Sequence, residues 1–356
     1  MRIAFDVSPL SHPRTGVGNY IRGSLAGLVE AAGKEHDVVA FAPTSSQGLK
    51  AIPRALDGIP VETRLRFLPF AHFWRQGWSR LGRPPVERFL GRVDVLHFSD
   101  WMFPPQRGGV RSTMVHDLVP LRFPQWVQGR TERMHGAKYL NAARTCDVIF
   151  VNSEFTKGEV VDVLGVPRGR VVVAYPGVDD RFTPEGERAD LGRPYVLTVA
   201  TLEPRKNLET LLAARLPDGH ALAVVGAAGW GPQPKLDRPD LIRLGYVDDA
   251  ELARLYRGAA AFAYPSRFEG FGIPIVEAMA SGIPVVASAH RSLDEAAGDA
   301  AVRADPDDPA ALSAGLEEAL GRRDELVPRG LAHARRFRWS GTGRTMFDAF
   351  SAILAG

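Results

Sequence analysis

Residues 269–277 read EGFGIPIVE, two glutamates around two glycines and a proline, shortly after the apolar run AAAFAYPS. A buried strand ending near Pro265, an irregular loop at Gly270 and Gly272, and a helix opening at Pro274 and running through EAMAS to Gly282 account for this pattern. Glu277 then lies in the opening turn of the helix and Glu269 in the loop before it. Between them fall the first amides of the helix, which have no partner within it. One carboxylate there is an ordinary helix-start charge. Two of them, beside such amides at the carboxyl end of a strand, predict a pocket for a ligand rich in hydroxyls.

The same alternation of apolar run, loop and helix extends outward along nearly the whole chain. RIAFDV, HDVVAF, VDVLHF, RSTMVH, CDVIFV and RVVVAY mark a first half; YVLTVA, ALAVVG, DLIRLG, AAFAYP and IPVVAS mark a second. Short runs rich in valine, isoleucine and alanine, without polar alternation, predict parallel strands covered on both faces. Helical periodicity between them is clearest in GNYIRGSLAGLVEAA, DDAELARLYRGA and PAALSAGLEEAL. The polar stretch RFTPEGERADLGRPY, 181–195, is the expected hinge. The expected fold is α/β: two doubly wound domains, 1–182 and 195–337, joined by a linker at 183–194, with an interdomain cleft at the carboxyl ends of their sheets. The last helical stretch, 338–356, is expected to pack back on the first domain.

At 356 residues the chain is long enough for two cores. Hydrophobic content of 45% and charged content of 24% are those of a soluble globular protein. A net charge of +3 suits small anions or a membrane surface and is too weak to imply nucleic acid. Cys146 is the only cysteine, which excludes an internal disulfide and a cysteine-rich metal site. The start MR runs straight into IAFDV without the apolar core of a secretory signal, and no apolar run is long enough to span a bilayer. A cytoplasmic protein is the expectation.

TLEPRKN, 201–207, follows the first strand of the second half and sets Arg205 beside Lys206 where a strand ends and a helix begins. An isolated pair of this kind is as a rule two solvated charges. At a strand's carboxyl end, sharing a sheet edge with EGFGIPIVE, it predicts an anion clamp suited to a diphosphate. The glutamates, which repel phosphate, are then expected to hold hydroxyls. In TGVGNY, 15–20, Gly16 and Gly18 let backbone approach a ligand at a helix start. The third glycine of a dinucleotide fingerprint is Ile21 here and no acid ends HDVVAF, which argues against a nicotinamide cofactor. His116, in HDLVP, stands at a strand's carboxyl end; a lone histidine is often structural, but this one is expected on the cleft rim. Asp248 and Asp249 read as helix caps, and DPDDP at 305–309 as a turn. No cofactor and no metal site are expected.

The stretch 64–92, RLRFLPFAHFWRQGWSRLGRPPVERFLGR, carries seven arginines against one glutamate, interleaved with Phe67, Phe70, Phe73, Trp74, Trp78 and Phe89. Either the aromatics enter the core beneath solvated arginines, or the surface makes peripheral contact with an anionic membrane, placing the protein at the inner face of the cell membrane.

Taken with NSEFTKGEV, YPGVD, GYVDDAEL, PSRFEGFGIPIVEAMASGIPVVAS and GDAAVRADPDDPAAL, these motifs resemble the retaining glycosyltransferases of family 4, over nearly the whole chain. The resemblance implies the GT-B fold, two facing Rossmann-like domains, with a nucleotide diphosphate sugar as donor substrate and a sugar or lipid-linked acceptor. It implies that Glu277 binds the nucleotide ribose and Glu269 the donor sugar, beside the amides of Gly270, Phe271 and Gly272. Arg205 and Lys206 hold the diphosphate, Gly16 approaches it, His116 touches the sugar, and Val247 lies by the base. RSLDEAAG, 291–298, departs from relatives that often carry a proline before the glutamate, and lies outside this contact set. The HDLVP region looks most like bacterial mannosyltransferases using GDP-mannose. A UDP-hexose or dTDP-deoxysugar donor, and a nucleotide-sugar-binding protein without catalysis, are the alternatives.

Overall fold

The computed structural model describes residues 1–12, 16–227, 229 and 237–356. The chain divides into two compact units, one of Met1–Leu118, Arg130–Gly177 and Arg338–Gly356, the other of Val119–Gly129 and Val178–Phe337.

In the first unit β1 (Arg2–Asp6), β2 (Asp37–Thr44), β3 (Glu62–Phe67), β4 (Val95–Phe98), β5 (Val110–Val115), β6 (Val148–Val151) and β7 (Val171–Val173) form one sheet. Its order is β3-β2-β1-β4-β5-β6-β7, and Ile3 faces both Val38 and Val95 in parallel register. The strand order reverses between β1 and β4, which makes their carboxyl ends the switch point of the sheet. β4 and β6 are buried at every residue, which is why they read as unbroken apolar runs. The helices Gly16–Ala32 and Trp339–Ala355 pack in direct backbone contact. A Cβ at Gly23 would lie 2.1 Å from the Trp339 ring, and one at Gly27 only 1.9 Å from the Trp339 carbonyl. Met346 and Phe350 complete a core with Phe5 and Phe150.

The second unit holds β8 (Tyr195–Val199), β9 (Ala221–Val225), β10 (Leu241–Gly245), β11 (Ala261–Tyr264), β12 (Val285–Ser288) and β13 (Val302–Ala304). The order β10-β9-β8-β11-β12-β13 puts the switch point between β8 and β11. Apolar cores cover both faces, one around Tyr256, Phe262 and Phe271, the other around Leu211, Leu222 and Leu316.

The division between units differs from the expected one. The chain changes unit between Gly177 and Val178, and the supposed linker is packed onto the second unit. Phe182 meets the Tyr256 ring at 5.5 Å, Arg181 pairs with Asp249 at 3.1 Å, and buried Ala189 donates its amide to the Arg254 carbonyl. Residues 119–129 also belong to the second unit although they precede it in sequence. There Phe123 stacks on Trp126 and meets Phe268 edge-on at 5.0 Å. Composition signalled a polar segment; it could not show which core its few apolar side chains would enter.

Candidate active site

The switch point of the second unit is built by two turns. After β8 the chain passes through Thr201–Glu203 into a short 3-10 turn, Pro204–Lys206, and then the helix Leu208–Ala213. Asn207 makes that change of direction in the left-handed conformation, φ 56°. Its side chain holds the turn by donating to the Pro265 and Pro306 carbonyls and accepting from Thr210. After β11 comes Pro265–Gly272, then the helix Ile273–Ala280 with Pro274 in its first turn. Gly272 has φ 101°, and a Cβ there would sit 2.7 Å from Leu293 Cδ2, so both backbone and space demand glycine.

These turns bring Arg205, Lys206 and Glu269 into contact. Arg205 donates to Glu269 Oε2 at 2.7 Å and Lys206 to Oε1 at 2.6 Å. Oε1 also accepts from Tyr264 at 3.0 Å and Ser266 at 2.5 Å, while Arg205 makes a second ion pair with buried Glu203 at 3.0 Å. Burial alone would raise the Glu269 pKa; the charges of Arg205 and Lys206 and the hydrogen bonds from Lys206 and Ser266 outweigh it and hold it at about 2. Glu269 is therefore a fixed carboxylate and no proton donor. Burial and the Arg205 charge lower the Lys206 pKa, with Glu269 opposing.

Glu277 meets the opposite environment. It is buried in the helix Ile273–Ala280 with Tyr256 donating to it at 3.2 Å. Burial, only partly offset by that hydrogen bond and reinforced by Asp249 and Asp179, raises its pKa to about 8. The two glutamates of one nine-residue motif thus hold opposite protonation states near neutral pH.

The other expected residues are placed as follows. Gly270 is buried, and the Phe271 side chain packs into the core against Phe337 at 5.0 Å, so only its backbone is left to face a ligand. Val247 follows β10 and packs against the core, two strands from β8. Gly16 opens the helix Gly16–Ala32 with empty space beside its Cα, whereas Gly18 is buried inside that helix and does not expose backbone as expected. Thr15 of the same motif lies outside the described residues.

His116 sits in the first unit at the end of β5, two residues before the chain leaves that unit. Its ring meets Tyr20 edge-on at 5.0 Å, and its Nε2 lies 3.8 Å from Asp100. Asp100 is in turn paired with Lys138, which is fully buried and also donates to the Met114 carbonyl. Burial lowers the His116 pKa, with the Asp100 charge opposing and Lys138 adding to the fall, so the ring is neutral at physiological pH.

Sequence reasoning missed Tyr264, Ser266, Tyr256 and Ser292. The Glu269 amide donates to the Ser292 hydroxyl at 3.1 Å, so RSLDEAAG holds the backbone of Glu269 from behind. Tyr264 and Ser266 stood within the run that located the strand, but nothing in the run distinguished a partner of Glu269 from a core residue.

Two doubly wound units, one with a cation pair converging at its switch point, define the fold class as GT-B. Solved structures bear this out. Sucrose-phosphate synthase of Thermosynechococcus elongatus matches with a TM-score of 0.71 at 19% identity over 99% of both chains. HepE of Anabaena, solved with UDP and glucose, matches with 0.67 at 16% identity over 99% of this chain and 100% of its own. The profile described as Glycosyltransferase Family 4 matches residues 14–182, and that of Glycosyl transferases group 1 matches 193–322. The chain belongs to these glycosyltransferases. O-antigen chain mannosyltransferase B of Escherichia coli is 28% identical over 99% of this chain and 100% of its own length. A D-inositol 3-phosphate glycosyltransferase of Nocardia farcinica is also 28% identical, over 99% of this chain and 89% of its own.

Proposed function

We infer that the protein is a retaining mannosyltransferase that takes mannose from GDP-mannose and passes it to a glycan, glycolipid or small-molecule acceptor. The observation that carries the reading is the convergence of Arg205 and Lys206 at the switch point where a doubly wound sheet receives a phosphorylated ligand. Full-length similarity to an O-antigen mannosyltransferase supports mannose as the sugar. Lys206 gives two of its three ammonium protons to Tyr264 and Glu269, leaving one for a diphosphate oxygen. As the glycosidic bond breaks, charge grows on the leaving diphosphate, and the cation pair with the nearby helix start stabilises it without reorganising. Glu269 has one acceptor position left, at Oε2, for a sugar hydroxyl, since Oε1 already accepts three hydrogen bonds. Protonated Glu277 can both donate to and accept from ribose hydroxyls. Neutral His116, in the first unit, can donate one hydrogen bond and accept another.

A competing reading is a UDP-sugar donor, favoured by the fold match to a structure solved with UDP and glucose. Thermal-shift titration with GDP-mannose and UDP-glucose, followed by a radiolabel transfer assay, separates the two. Stabilisation by GDP-mannose alone, with the anomeric configuration retained in the product, is the expected result. Arg205→Ala is expected to lower turnover by roughly 10²–10³-fold, the cost of one charge-stabilising donor. Near-normal turnover in that folded variant overturns the clamp. With two cations and a helix start at the leaving group, turnover is expected to survive EDTA; loss restored by magnesium or manganese overturns that part.

A further inference from the structure

The arginine- and aromatic-rich stretch 64–92 resolves into a surface that this reading of the active site leaves unused. The helix Ala71–Leu81 turns Ala71, Arg75 and Trp78 inward: Ala71 and Arg75 are buried, and Trp78 packs against the core that holds Val86 and Leu96. Phe73 and Arg80, two turns apart, lie on the opposite side, and Trp74 and Leu81, also two turns apart, lie on its flank. Phe73 is 72%, Trp74 51% and Leu81 76% exposed, and Phe70 at the helix start is 84% exposed. Phe67 ends the edge strand β3 and Phe89 follows nearby in sequence, both exposed. Arg66, Arg80, Arg83 and Arg88 are exposed and pair with no carboxylate among the described residues. The single acid of the stretch, Glu87, accepts from the Arg107 amide.

A monomeric soluble protein keeps such side chains dispersed. Here Phe70, Phe73, Trp74 and Leu81 fall within one helix and the residue before it, in a stretch whose exposed arginines alternate with them in sequence. We propose that this face of the first unit is a peripheral membrane-docking surface, which seats on an anionic lipid bilayer with Phe70, Phe73, Trp74 and Leu81 in the interface and the arginines at phosphate level. Two features favour lipid over a protein partner. The apolar side chains are exposed over most of their surface, Phe70 at 84% and Leu81 at 76%, which fluid lipid accommodates and which a rigid partner could meet only with a matching pocket for each. The exposed polar positions of the stretch are all arginine, which matches a continuous anionic surface and not the mixed signs of a typical protein rim. Arg75, buried beneath the helix with its guanidinium over the Trp101 ring at 5.1 Å, takes no part in the contact.

The test is co-sedimentation of the full chain with vesicles of phosphatidylcholine alone and of phosphatidylcholine mixed with phosphatidylglycerol. Binding to the anionic vesicles only, weakening as salt rises, is expected. Each arginine near an anionic surface contributes about fivefold in affinity. Arg80→Glu with Arg83→Glu, both exposed and remote from the core, is therefore expected to weaken binding by about 25-fold or more. Phe73→Ser with Trp74→Ser is expected to abolish it and to leave the melting temperature and the donor-induced thermal shift unchanged. Absence of binding at low salt overturns the proposal, as does binding that the variants leave intact. Oligomers in solution that Phe73→Ser with Trp74→Ser converts to monomers would show a protein interface instead, and would overturn it equally.

Discussion

Glu269 and Glu277 differ by environment alone, and the difference makes opposite predictions for the same substitution. Glu269 holds two buried cations, and its pKa lies far below the ordinary 4.5. Its stabilisation is present above about 4.5 and is lost as pH falls toward about 2. At neutral pH, Glu269→Gln leaves Arg205 and Lys206 short of a counter-charge, so a loss of about 3–5 kcal/mol in unfolding free energy is expected. Glu277 binds its proton more tightly folded than unfolded. Its contribution is complete below about 4.5 and declines as pH rises through about 8. Glu277→Gln mimics the neutral form, so it is expected to match the parent protein at about pH 5 and to exceed it, by on the order of a few kcal/mol, at about pH 9. Urea midpoints of both variants at the two pH values check this, and a Glu277→Gln protein weaker than the parent at the high pH would show that folding does not raise the pKa of this carboxyl. Both glutamates and both cations were legible in EGFGIPIVE and TLEPRKN, because motif spacing carries that information. Their opposite protonation was not, since it depends on Tyr256, Asp249 and Ser266, which are distant in sequence or indistinct from core residues.

Strands and turns were legible where chemistry repeats and illegible where it does not. Eleven runs mark strands correctly, but β3 and β13 escaped. β3 is an edge strand, ETRLRF, exposed at all but Leu65, so it has none of the continuous apolar character of its neighbours. β13 has only three residues. Glycines show a similar contrast between alike letters and unlike roles. Gly272→Ala must place a Cβ at φ 101° and 2.7 Å from Leu293, and is expected to cost about 1–3 kcal/mol and to displace the start of the helix Ile273–Ala280. Gly16→Ala meets open space and is expected to stay within about 0.5 kcal/mol of the parent. Donor affinity separates the two meanings of Gly16: if it falls in a Gly16→Ala protein of unchanged stability, the backbone there approaches the ligand. If it does not fall, Gly16 only opens a helix.

At the scale of the molecule, the chain enters each unit more than once. It leaves the first unit at Leu118, returns at Arg130, leaves at Gly177 and returns at Arg338. A boundary drawn from composition finds one polar segment and cannot find four crossings, because each is fixed by which core takes up a few apolar side chains. The two units keep separate cores, so their stabilities respond to different perturbations. Phe350, fully buried against Phe150, belongs to the first; Arg205, Lys206 and Glu269 belong to the second. Phe350→Ala is therefore expected to destabilise the first unit by about 3–5 kcal/mol. Nucleotide at about 100 times its dissociation constant is expected to stabilise the second by about 2.7 kcal/mol. Scanning calorimetry of the Phe350→Ala protein, with and without nucleotide, should separate into an early transition indifferent to ligand and a later one that the ligand raises. A single transition moved by both perturbations would show instead that the two units unfold as one cooperative body.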